Sequence, residues 1–153
     1  MDTNCNLHLN QSIVKPALMI SEISLPKILF LVDDDQDDKE IFQEALNLID
    51  NKITLYTASD GREALRKLHE ALVLPDIVFM DLNMPIMGGK DCLKALKLDR
   101  QLKKIPVIIY STSAEAKEKE NCLKLGASHY ISKPPQFDSL VSTLKETLAS
   151  EWR

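Results

Sequence analysis

Asp81 follows four consecutive apolar residues, Ile77-Val78-Phe79-Met80, and is followed by Leu82-Asn83-Met84-Pro85 with Gly88-Gly89 just beyond. Such a run reads as a strand buried on both faces that breaks abruptly into a turn. Asp81 therefore stands where a buried strand surfaces. The carboxyl ends of strands are where ligands bind in an open α/β sheet, although a lone Asp at such a place is more often a turn former. Three more strand ends change the reading. Asp33-Asp34-Asp35 follow Ile28–Val32, Ser111-Thr112 follow Val107–Tyr110, and Ser132-Lys133 follow His129–Ile131. Parallel strands would bring all of them to one edge. Carboxylates gathered there repel by about 4 kcal/mol per pair at ~4 Å in an effective dielectric near 20, so cations must offset them. A hard divalent ion with oxygen ligands, Mg²⁺ above all, would do so, with Mn²⁺ as the alternative. Lys133 adds a compact positive charge and the Ser111 hydroxyl a donor, which suits a phosphoryl group. Asp81 then has the role of a nucleophile able to form an acyl phosphate.

The elements that must position these groups follow from hydrophobic periodicity. Helical stripes are expected at Phe42, Ala45, Leu46 and Ile49; at Ala64, Leu65, Leu68 and Leu72; at Cys92, Leu93, Leu96 and Leu98; and at Phe137, Leu140, Val141, Leu144 and Leu148. Ile53–Thr57 reads as a further strand. The helix from Glu115 to Leu125 is poor in apolar residues and ends at Gly126, as a C-cap would, so it is expected to be the most loosely held. Five strands alternating with five helices imply an α/β fold, a doubly wound parallel sheet with right-handed crossovers. The expected organisation is a flexible extension over residues 1–26, one domain over 27–150 and a tail over 151–153, with Trp152 in the tail. Met19, close to the first strand, is an alternative start.

Composition narrows the function. The net charge is −4, and Lys and Arg are scattered among acids, which argues against direct nucleic-acid binding. Lys15 and Pro16 interrupt the only early apolar stretch, so no signal peptide or membrane span is expected, and the protein reads as cytoplasmic. Cys5, Cys92 and Cys122 lack the spacing of a disulfide framework or zinc site; the latter two are expected to pack as small hydrophobes. His8, His69 and His129 have no paired ligand and receive no chemistry.

Val32-Asp33-Asp34, Met80-Asp81-Leu82-Asn83-Met84-Pro85, Pro106-Val107-Ile108-Ile109-Tyr110-Ser111 and Gly126-Ala127-Ser128-His129-Tyr130-Ile131-Ser132-Lys133-Pro134 together resemble the receiver domains of two-component response regulators. The resemblance covers about residues 27–150. It implies the flavodoxin-like strand order 2-1-3-4-5, for which the chemotaxis regulator of this family is a known example. It implies phosphorylation of Asp81 in a Mg²⁺-dependent reaction, Asp34 as a direct metal ligand, Asp33 acting through the same ion, and the Asn83 backbone carbonyl as a further ligand. Ser111 would contact the phosphoryl oxygen, Lys133 would pair with it, and Tyr130 would be the aromatic switch. The Lys133–Pro134 peptide is often cis in relatives. The implied partners are a sensor histidine kinase or histidine phosphotransfer protein upstream, and a downstream protein bound through the Glu115 to Leu148 face. Homodimerisation stays open. The chain would act as a single-domain regulator that assists its own phosphorylation and dephosphorylation without being an enzyme in its own right.

The chain departs from the family pattern in three places. Ser111 stands where Thr is commoner, Thr112 where a small Ala is frequent, which bears on access to the phosphoryl group, and Pro135 where Phe is frequent, with Phe137 expected to fill that core position. Rival readings fit less well. Asp33, Asp35, Asp37 and Glu44 have EF-hand spacing, but Asp38 occupies the required glycine position; Asp37 and Asp38 suit the first turn of a helix. A phosphatase of the haloacid dehalogenase type would use Asp33 and Asp35, yet no acidic pair follows Lys133 and there is no room for a cap. A receiver-like module without phosphorylation is disfavoured by the presence of Asp34, Asp81 and Lys133 together.

Overall fold

The computed structural model describes residues 25–152. The expectations for residues 1–24, including an extension and a start at Met19, lie outside the described residues. Strands β1 (Ile28–Val32), β2 (Thr54–Ala58), β3 (Ile77–Met80), β4 (Val107–Ser111) and β5 (His129–Ser132) alternate with helices α1 (Gln36–Ile49), α2 (Gly61–Glu70), α3 (Gly89–Leu98), α4 (Ala116–Lys124) and α5 (Phe137–Ala149). The strands form one parallel sheet in the order β2-β1-β3-β4-β5.

The three central strands are continuous apolar runs because helices cover both faces. Side chains of successive residues still part to opposite sides. Leu29, Leu31, Ile77, Phe79, Ile108 and Tyr110 join α1 and α5 in one core, where the Phe42 ring meets Phe79 edge-on at 5.1 Å. Phe30, Val32, Val78, Met80, Val107 and Ile109 join α2, α3 and α4 in the other. Each core leucine or phenylalanine so enclosed costs about 2–5 kcal/mol to truncate to alanine.

Several elements end elsewhere than their patterns suggested. Helix α2 stops at Glu70, and Leu72, expected on its stripe, is fully exposed. Pro75 drives Leu74 toward extended backbone, which favours leaving the helix early. Leu98 closes α3 but is 85% exposed, being two residues, hence about 200°, out of phase with buried Leu96. Phe137 does not fill a core position: it is the first residue of α5 and exposed, whereas Leu140, Leu144 and Leu148 reach the core. Every peptide bond among the described residues is trans, including Lys133–Pro134. Trp152 is no free tail residue. Its indole stacks on His129 with ring centroids 5.1 Å apart and donates to the Thr147 carbonyl at 2.8 Å.

Candidate functional site

Ladder hydrogen bonds continue past the last residue of each strand and set the site residues at one height. The Asp33 amide donates to the Ala58 carbonyl at 2.9 Å, the Asp81 amide to Val32 at 2.9 Å, and the Lys133 amide to Ser111 at 2.7 Å. The first acid of each loop is thereby held by the neighbouring strand. The carboxylates of Asp33, Asp34 and Asp81 each bring an oxygen within 4.8 Å of the others. Asp33 and Asp81 are buried, whereas Asp34 is exposed at the rim.

Burial decides the electrostatics. The Asp33 carboxyl is pushed above its ordinary range by desolvation, which outweighs its hydrogen bond from Lys133. Desolvation lifts Asp81 from 3.8 to about 6 and nearby Asp33 adds to it, while Lys133 and the backbone amides of Leu82 and Asn83 pull it down. The Leu82 amide donates to Asp81 Oδ1 at 2.8 Å. Burial pulls the Lys133 ammonium toward losing its proton, but its hydrogen bonds to Asp33 and Asp38 win and raise its pKa. A divalent cation with oxygen preference fits this donor set, since two buried carboxylates and one exposed carboxylate converge.

Lys133 Nζ lies 2.7 Å from Asp33 Oδ2, 2.8 Å from Asp38 Oδ2 and 3.7 Å from Asp81 Oδ2. The ammonium also sits 5.3 Å from the centroid of the Tyr110 ring, within cation–π range. Sequence reasoning took Asp38 only as a first-turn acid of a helix and gave Tyr110 no role of its own. The signal for Asp38 was its helical phase: it precedes Phe42 by four residues, so it extends the buried stripe of α1 beyond the sheet, toward the strand ends.

The loop after Asp81 is built for close approach. Ile86 has φ 67°, and Met87 N–H donates to Pro85 O at 2.7 Å, a tight three-residue turn rarely taken by a β-branched residue. The turn leaves the Ile86 side chain exposed and brings Gly89 back against the end of β3. A Cβ on Gly89 would lie 2.1 Å from the Asp81 carbonyl oxygen, so only glycine allows this contact. Asn83 is exposed in the same loop.

Ser111 is fully buried at the end of β4, and its hydroxyl oxygen accepts from the Ser113 amide at 3.4 Å. Thr112 is exposed. Tyr130 is buried and its hydroxyl donates to the Ser113 carbonyl at 2.8 Å, tying β5 to the loop that begins at Ser111. The Ser132 hydroxyl donates to the same carbonyl at 3.2 Å. Cys92 and Cys122 are free thiols buried in the core, and desolvation raises the pKa of both. His69 meets Asp99 at 2.6 Å as a surface pair.

Residues 29–145 match the family model described as the response regulator receiver domain. A protein-glutamate methylesterase/protein-glutamine glutaminase of Treponema denticola is 44% identical over 95 residues, 60% of this chain and 24% of that protein. The transcriptional regulatory protein PrrA of Mycobacterium leprae is 33% identical over 131 residues, 85% of this chain and 53% of that protein. The chain thus spans about a quarter to a half of these curated relatives. Among solved structures, the phosphorylated cyanobacterial phytochrome response regulator RcpA superposes with a TM-score of 0.73 at 32% identity, covering 79% of this chain and 90% of that one. The Mn(2+)-bound form of response regulator Rcp1 gives 0.70 at 26% identity, covering 79% and 91%.

Proposed function

Because the chain belongs to the family of response regulator receiver domains, we propose that Asp81 is its phosphoacceptor and that the domain works as a switch in a two-component phosphorelay. The observation that carries this is the gathering of Asp33, Asp34 and Asp81 within 4.8 Å of one another beside the Lys133 ammonium. A buried carboxylate facing a cation, on a strand end, is placed to attack rather than merely to cap a turn.

An Asp81 carboxylate oxygen attacks the phosphorus of a phosphohistidine on a sensor kinase or phosphotransfer protein. A new O–P bond forms, the P–N bond breaks, and its electron pair returns to the departing imidazole. Asp33, Asp34, Asp81 and the Asn83 carbonyl would hold Mg²⁺, or Mn²⁺ in its place. Bound there, the ion neutralises charge on the phosphoryl oxygens. Lys133 supplies a second positive charge, and the Ser111 hydroxyl a hydrogen bond to a phosphoryl oxygen. Thr112 stands at the rim and limits access for water and for small donors.

The acyl phosphate adds about 1.5 to 2 negative charges and draws Ser111 and Lys133 toward Asp81. Tyr130, through its bond to the Ser113 carbonyl, follows the Ser111 loop. A swing from mostly off to mostly on needs about 5.5 kcal/mol of preference, and a smaller bias gives a partial switch. Output passes through the Glu115 to Leu148 face, where Leu123 and Phe137 are exposed. No helix among the described residues is long and apolar enough to cross a membrane, and the reading places the protein in the cytoplasm.

Intact mass after incubation with acetyl phosphate is the test, with and without Mg²⁺ and alongside Asp81→Asn. One added phosphoryl group that depends on Mg²⁺ and is absent from the variant supports the assignment. No adduct from acetyl phosphate or from a phosphohistidine donor refutes it.

A further inference from the structure

Lys133 makes its two short charged contacts to Asp33 and Asp38, and only its long one, 3.7 Å, to Asp81. An ammonium has three donors, and two are therefore committed to carboxylates other than the proposed acceptor. Asp33 belongs to the cluster that a cation would draw on, but Asp38 does not. Asp38 is held in place on the first turn of α1: its amide donates to the Asp35 side chain at 3.1 Å, the N-cap contact of the helix. Its carboxylate is about one-third exposed while the lysine side chain is 10% exposed, so the pair is only partly screened by water.

We propose that Asp38 is a positioning residue, a latch that holds the Lys133 ammonium in the unphosphorylated protein and competes with a phosphoryl group on Asp81 for it. The proposal rests on Asp81 being the phosphoacceptor. Closing Lys133 onto a phosphoryl oxygen pulls the ammonium, 3.7 Å from Asp81, against its 2.8 Å contact to Asp38, and whatever that contact loses is subtracted from the gain at the phosphate. Asp38 thus sets how far a given charge on Asp81 moves the equilibrium. A carboxylate here biases the resting protein toward the open arrangement and makes the switch harder to trip by weak donors.

The test uses the full chain at saturating Mg²⁺, titrated with beryllofluoride as a tetrahedral phosphoryl analogue and followed by the bound ¹⁹F resonance. Wild type is compared with Asp38→Asn, which removes the charge at constant shape, and with Asp38→Glu, which keeps it. The half-saturating concentration is expected to fall roughly three- to tenfold in Asp38→Asn, the scale of a partly buried charged contact, and to stay within about twofold of wild type in Asp38→Glu. An Asp38→Asn value that is unchanged or higher overturns the latch, as does an equal shift in both variants, which would assign the effect to packing. If wild type binds no beryllofluoride and gains no mass from acetyl phosphate, the acceptor assignment itself falls and the latch with it.

Discussion

Asp81 is a carboxylate in an environment that disfavours its charge, and that has a measurable cost. Its pKa rises from 3.8 to about 6, chiefly by desolvation. An acid whose folded-state pKa exceeds its unfolded value binds its proton more tightly when folded, so stability falls as pH climbs from about 4 through about 6. Two units at about 1.4 kcal/mol each bound the penalty near 3 kcal/mol at neutral pH. Asp81→Asn should therefore stabilise the metal-free protein by about 1–3 kcal/mol at pH 7.5, the gain fading toward pH 4. Urea unfolding with a chelator present measures it, and an unchanged midpoint at pH 7.5 would contradict burial as the cause. The placement of Asp81 at the end of a buried strand was legible from its chain neighbours, because an apolar run ending in Asp-Leu-Asn-Met-Pro needs no long-range information. Asp38 was not, since its partner Lys133 lies 95 residues away and only the folded helix phase brings them together.

At the scale of elements, α4 is the outlier. Its N-cap, Glu115, makes no side-chain capping bond, and Cys122 is its sole buried residue, whereas α1 buries Lys39, Phe42, Ala45 and Leu46 and is capped by Asp35. Little apolar area and an open first turn leave few interactions to lose on opening. Amide hydrogen exchange should show α4 exchanging fastest of the five helices, ahead of α1 by at least about tenfold, or roughly 1.4 kcal/mol. Protection of α4 equal to α1 would disprove this ordering. The weakness of α4 was readable in its Glu- and Lys-rich sequence, and Gly126, with φ 110°, ends it as its position implied. The ends of α2 and α5 were less readable. Leu72 and Phe137 fit a helical stripe perfectly well in one dimension, but Leu72 lies beyond the end of α2 and Phe137 is the first residue of α5, and both are exposed.

For the whole molecule, strand order could only be inferred by resemblance, because periodicity says nothing about which strands are neighbours. The sheet order then explains why one edge concentrates four loops and their charges. A cation bound by that edge stabilises only the folded chain, by about 2.7 kcal/mol at a concentration one hundred times its dissociation constant. Adding Mg²⁺ should raise the thermal midpoint of wild type and do so far less in Asp81→Asn; equal shifts in both would place the ion elsewhere. Protons compete for Asp81, so the Mg²⁺-induced shift should grow as pH rises through about 6. The opposite edge of the sheet holds the only tryptophan in the chain. Trp152 lies flat on His129, the first residue of β5, while Lys133 follows the last residue of that same strand. Four residues at about 3.3 Å each span the distance between them. The lone indole thus rests as an intrinsic fluorophore on the far end of the strand that leads to the lysine.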